Sequence, residues 1–108
     1  MIQVFWKNQA LYDLEDCIDS LMLSQNPNRP SLTYEEAIDY KNDIINFALS
    51  LRNRKTHTNC VYAIQKVFGE KAARYDRNKT TQYYIVYNLD LSGNIQIERI
   101  MTNHITIV

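Results

Sequence analysis

The stretch Gln82–His104, QYYIVYNLDLSGNIQIERIMTNH, decides how the 108-residue chain folds. It reads as two alternating runs joined at Asp90 to Gly93, with Tyr83, Tyr84 and Tyr87 on the first. Alternation of apolar and polar side chains marks a strand, and LSGN offers a glycine for the positive backbone angle that tight hairpin turns need. On the second run Ile95 and Ile97 share one face while Ile100 falls on the other. A bulge, or a central strand buried on both faces, accounts for that slip. Just upstream, KAARYDR (71–77) alternates small or aromatic with charged side chains and NKT (78–80) turns. The three runs together predict a meander.

Working back from the hairpin, the period changes. Ala37, Ile38, Lys41, Ile44, Ile45, Ala48 and Leu49 recur at three and four, a helical stripe interrupted only by the stem of Lys41. Thr33 and Glu36 stand at capping-box spacing, so this helix should begin near Tyr34 and run to about Arg52. SQNPNRPS (24–31) breaks the pattern and reads as a loop. Before it, Ala10, Leu11, Leu14, Cys17, Ile18, Leu21 and Met22 form a second stripe, with Asp13, Glu15, Asp16 and Asp19 mostly outside it on an expected solvated face. Ile2–Trp6 is β-branched and aromatic, hence a strand. CVYAIQKVF (60–68) fits a strand or a short helix equally well. The expected fold is α+β, a single domain over residues 1–108 in the order β-α-α-β-β-β, with two helices packed on a small antiparallel sheet. One sheet face would be covered by the helices and the other left free for basic and tyrosine side chains.

No run approaches the roughly 20 apolar residues that span a bilayer, and MIQVFWKNQA lacks the basic-then-apolar design of a signal peptide. A cytoplasmic protein without membrane contact is expected. Cys17 and Cys60 are too few for a disulfide scaffold or a zinc site. Net charge is zero, yet its distribution is uneven. Residues 1–51 hold three basic side chains and eight acids; residues 52–108 hold nine basic side chains and four acids. Such a polar molecule can focus positive potential on one face and attract phosphates, although lysines and arginines also simply solvate surfaces.

The two glycines, Gly69 and Gly93, lie in no phosphate-loop setting, so nucleoside triphosphate chemistry is not expected. The helix carboxylates lack the histidine or further ligands of a metal site, and no serine or cysteine nucleophile has a marked base. What remains is a basic, aromatic sheet and a late histidine. Histidine exchanges a proton near neutral pH, arginine grips phosphate with two bonds, and tyrosine stacks on unpaired bases. That set suits RNA cleavage, in which a 2′-hydroxyl attacks the adjacent phosphodiester. His104 at a strand end also fits an ordinary capping role. His57, in a basic loop, is the weaker candidate.

The opening VFWKNQALYDLEDCIDSLM, the second amphipathic helix, QYYIVYNLDLSGNIQIERI and the ending NH together resemble the RelE/ParE superfamily of bacterial toxins from toxin-antitoxin pairs. The resemblance implies two helices against an antiparallel sheet and a cognate antitoxin that wraps the toxin. It also implies one of two activities: RelE-like members cut messenger RNA on the ribosome, and ParE-like members poison DNA gyrase. RelE-like nucleases usually place an arginine after the first tyrosine of the strand that here reads Tyr83-Tyr84-Ile85-Val86-Tyr87, so Tyr84 stands in the arginine's place. Arg74 and Arg77 of the preceding strand are the expected substitutes. YoeB-type nucleases carry a histidine near the C-terminus, where His104 lies. The resulting expectation is a metal-independent endoribonuclease needing no cofactor, with His104, Arg77, Arg74 and Tyr84 catalytic and Lys55, Lys71, Lys79 and Tyr75 contacting RNA. A gyrase-directed toxin and an inactive antitoxin-binding member are the alternatives.

Overall fold

The computed structural model describes residues 1–23, 31–77 and 81–102. The elements follow the order β1 (Val4–Trp6), α1 (Asn8–Met22), α2 (Tyr34–Ser50), a 3-10 turn (Leu51–Asn53), α3 (Ala63–Lys66), β2 (Lys71–Asp76), β3 (Gln82–Leu89) and β4 (Ile95–Thr102). The fold is α+β, and the sheet order is β1-β4-β3-β2. The expected all-antiparallel sheet needs correction: β1 runs parallel to β4, pairing Val4 with Ile95 and Trp6 with Ile97. The physical reason is connectivity, since a chain that leaves β1 and returns only after long excursions can lie alongside it in the same direction. β2, β3 and β4 form the expected antiparallel meander.

The slip in β4 is a bulge in a central strand. Val86 pairs with Arg99 but Tyr87 pairs with Ile97, which leaves Glu98 extra. The alternation therefore shifts, and Ile95, Ile97 and Ile100 all reach the same core. That core lies beneath α1 and α2, where Ala10, Leu14, Ile44, Ala48 and Leu51 pack on Ala73, Tyr83, Ile85 and Tyr87. Cys17 packs at its margin.

The second helix starts as its capping residues dictate. Thr33 Oγ1 accepts the Glu36 amide at 3.2 Å and Glu36 Oε1 accepts the Thr33 amide at 3.1 Å. The bond from the Thr33 amide, and after it one from the Thr33 side chain, hold the Glu36 carboxyl below its usual range. Thr33→Ala removes a first-turn acceptor and should cost about 1 kcal/mol. A lower urea midpoint at unchanged slope checks it.

Two expectations fail on burial. Asp13 is not on the solvated face: its side chain is 8% exposed. β1 flanks β4 only as far as Ile97, so further along that edge the Ile100 amide has no described strand to bond. Asp13 takes the role, its Oδ2 accepting Ile100 N–H at 3.0 Å and Arg99 Nε at 2.7 Å, its Oδ1 accepting Arg99 Nη2 at 3.0 Å. Gln9 Nε2 adds a fourth bond at 3.2 Å. By contrast Glu15, Asp16 and Asp19 are exposed as expected, and Glu15 pairs with Lys41 of α2.

The face opposite the two long helices is not free either. Residues 58–69 roof part of it, Cys60 packing on Val86 and Met101 with Ile64, Ala72 and Tyr84 around them. The 60–68 stretch contains one helical turn, α3, and just ahead of it Asn59 bridges Lys71 like a short strand. Gly69 permits the close approach, since a Cβ there would lie 2.9 Å from Val86 Cγ1 and 3.2 Å from the Tyr87 oxygen.

Candidate functional site

β2 is an edge strand, and its two faces meet different surroundings. Residues 73, 75 and 77 turn toward the helices, residues 72, 74 and 76 toward the roofed face. Arg77 consequently pairs with Asp43 of α2 and lies 4.1 Å over the Tyr40 ring. Tyr75 packs at 5.0 Å on Phe47 and at 6.4 Å on Tyr83. Arg74, directly opposite Tyr84 in the ladder, projects to the other side. The three-residue separation of Arg74 and Arg77 is odd in a period of two, so one strand cannot deliver both to one phosphate. The two expected phosphate ligands are thus divided between faces.

Arg74 does find company. The stretch 58–60 follows the edge of β2 only at its start, through Asn59 opposite Lys71 and the Ala72 amide bonded to the Thr58 oxygen at 3.0 Å. Where it diverges, an open cleft of about 330 Å³ remains, lined by Arg54, Thr58, Asn59, Tyr62, Arg74 and Tyr84 over a floor of Ala72 and Ala73. Tyr62 meets Tyr84 edge to face, ring centroids 5.8 Å apart at 81°. Burial, then the neighbouring Tyr62 phenol, push the Tyr84 hydroxyl above its ordinary pKa, while a bond from Arg74 opposes the shift. The Tyr84 phenol therefore stays protonated at neutral pH and can donate a hydrogen bond.

Arg74 is held in place by Asp76, with Nε–Oδ1 at 3.0 Å and Nη2–Oδ2 at 3.3 Å. Both side chains are about half exposed, so the pair is weak and its guanidinium is available to a better anion. Arg54 reaches the cleft from beyond α2, its guanidinium 5.5 Å from the Phe47 ring. Two guanidiniums and two phenols on one small concave surface can grip a phosphodiester, stack a base and donate protons.

The remaining expected contacts are scattered. Lys71 donates to Asn59 Oδ1 at 2.6 Å, beside the cleft but tied into its wall. Lys55 is exposed in the loop after Arg54. Lys79 and His104 lie outside the described residues. Arg54 and Tyr62 were not singled out from sequence, because nothing in the irregular 53–69 stretch announces that it returns along the β2 edge.

His57 sits near this wall, its Nδ1 2.7 Å from the Tyr87 hydroxyl and its ring edge to face with that of Tyr87. Burial first, then the charges of Lys71 and Arg54, lower its pKa from 6.5. The unfolded chain thus takes up a proton at higher pH than the folded one, and stability should fall as pH drops through and below 6.5. His57→Asn should flatten that dependence between pH 7.5 and 5.5 in urea titrations, while wild type loses midpoint. The thiols offer no alternative nucleophile: burial pushes Cys17 up to about 12 and also raises Cys60. Among the described residues no group of three or more histidine, cysteine or acidic side chains could hold a metal ion, and no described helix is long and apolar enough to cross a membrane. No family model, curated protein or solved structure matches the chain.

Proposed function

We propose that this protein is a toxin of RelE/ParE type and that it cleaves messenger RNA in the cleft between the β2 edge and residues 54–62. The observation carrying this reading is the convergence of Arg54, Arg74, Tyr62 and Tyr84 on one open surface. Two long helices on one sheet face are what the resemblance implies, while α3 and the parallel β1 are additions to it.

In the reaction, the 2′-oxygen bonds to phosphorus as the P–O5′ bond breaks, leaving a 2′,3′-cyclic phosphate and a 5′-hydroxyl. Arg74 and Arg54 neutralise the non-bridging oxygens, where charge grows in the transition state. Tyr84, kept protonated, is positioned to donate to the departing 5′-oxygen. Tyr62 stacks on a flanking base and holds the Tyr84 hydroxyl. An imidazole takes the 2′-proton, the role assigned to His104. Arg77 and Tyr75, turned to the helices, have no part in this scheme.

The test is induced expression with mapping of messenger RNA 5′ ends, alongside plasmid supercoiling. Discrete cuts that Arg74→Ala and His104→Ala each remove support the nuclease. A second reading, gyrase poisoning, is favoured by one observation: among the described residues no imidazole or carboxylate lines the cleft. Intact RNA with altered supercoiling would select it.

A further inference from the structure

The two edges of the sheet are treated differently. The β2 edge is partly covered by residues 58–60, and beyond them it carries the charged side chains of Arg74 and Asp76. Along the β1 edge Arg52 and Asn53 lie beside Met1 and Ile2, and no described strand covers Val4–Trp6. Ile95 N–H bonds to the Gln3 oxygen at 2.8 Å and Lys7 N–H to the Ile97 oxygen at 3.0 Å, so residues 3, 5 and 7 turn their backbone groups toward β4. Val4 and Trp6 therefore direct an amide and a carbonyl each out of the sheet, where no described strand pairs with them. From Ile2 to Trp6 there is no charge, proline or bulge, the devices that normally keep an edge from pairing. Phe5, on the face away from α1 and α2, is 48% exposed.

We infer that this edge is a self-pairing surface: two copies of the chain join β1 to β1 antiparallel about a two-fold axis through Phe5, making a continuous eight-stranded sheet. The argument for a second copy as occupant is self-complementarity. With the axis at residue 5, Val4 of one copy faces Trp6 of the other, and each of these pairs exchanges two N–H···O bonds, which satisfies all four outward groups per protomer. Phe5 then faces Phe5 as the close, non-hydrogen-bonded pair, and the two rings cover each other on the open face. Lys7 falls opposite Gln3, so no like charges meet. The contact is small, at the weak end of specific interfaces, so the dimer is expected only at high protein concentration. Because the cleft lies at the opposite sheet edge, pairing leaves both clefts open, and this inference does not depend on what the cleft does.

Sedimentation of the purified full chain across a concentration series tests it. Wild type should pass from monomer to dimer, and Phe5→Lys, which places like charges across the axis, should weaken the dimer by about tenfold or more. Phe5→Cys should form an intermolecular disulfide under mild oxidation, since opposed Cα atoms at such a site are about 4.5 Å apart. Gln3→Cys, well away from its copy in this register, should not. A wild-type protein that stays monomeric throughout overturns the inference. So does a dimer indifferent to Phe5→Lys, or cross-linking through Gln3→Cys without Phe5→Cys. If Phe5→Lys fails to fold by circular dichroism, the cysteine pair decides.

Discussion

Asp13→Ala should lower stability by about 3–5 kcal/mol, the usual cost of removing one partner from a buried ion pair. The substitution strands Arg99, whose guanidinium lies 4.5 Å over the Phe68 ring, and leaves the Ile100 amide without its acceptor. The melting temperature should drop by roughly 15 °C, on the scale expected for a domain of this size. Asp13→Asn keeps an acceptor for Ile100 and should lose less. Arg99→Met leaves the carboxylate buried with only Ile100 and Gln9, so it too should destabilise, and combining it with Asp13→Asn should recover part of the loss. Urea unfolding of wild type, Asp13→Asn, Arg99→Met and the double variant forms the cycle that measures the coupling. A loss below about 1 kcal/mol for Asp13→Ala would mean that water replaces the network and that the β4 edge needs no side-chain acceptor.

The second large effect concerns activity and follows from the division of β2 between two faces. On the proposed nuclease function, Arg74→Ala should reduce RNA cleavage by about 10²–10³-fold, the loss typical of a group that stabilises transition-state charge. Its stability should stay within about 0.5 kcal/mol of wild type, because the side chain is 55% exposed and its ion pair with Asp76 is solvated. Arg77→Ala should behave in the opposite sense. It removes the Asp43 pair and the stacking on Tyr40, so it weakens the packing of α2 on the sheet while leaving cleavage near the wild-type rate. Single-turnover cleavage of a short RNA, paired with thermal melts, separates the two. If Arg77→Ala abolishes cleavage in a well-folded protein and Arg74→Ala does not, the working surface is the helix side.

Much of the framework could be read directly from residue order. Helical periodicity located both long helices, Thr33 and Glu36 marked where α2 starts, and the isoleucine slip announced the bulge in β4. Those signals are local, each produced by neighbours within a turn or a ladder step. What escaped was nonlocal. The parallel seat of β1 depends on a partner some ninety positions away, and no periodicity encodes direction. Asp13 looked like any helix carboxylate, because its need arises from a gap beside β4. The cleft was half legible: Arg74 and Tyr84 were singled out, but Arg54 and Tyr62 belong to a segment with no regular pattern. Arg74 and Arg77 could have been separated from sequence, since their odd spacing on one strand already sends them to opposite faces.

The pairing of β1 with β4 also constrains how a nascent chain matures. Val4 to Trp6 leaves the ribosome about ninety residues ahead of its partner, Ile95 to Ile97. Until β4 emerges that apolar stretch waits without its ladder, and the sheet stays open. Conformational search over so long a loop is slow, and the waiting strand invites premature association between neighbouring polysomes. A variant carrying the first strand after the last, through a crossover linker long enough to run back along β4 as a parallel pair requires, would let both emerge close together, and refolding should accelerate.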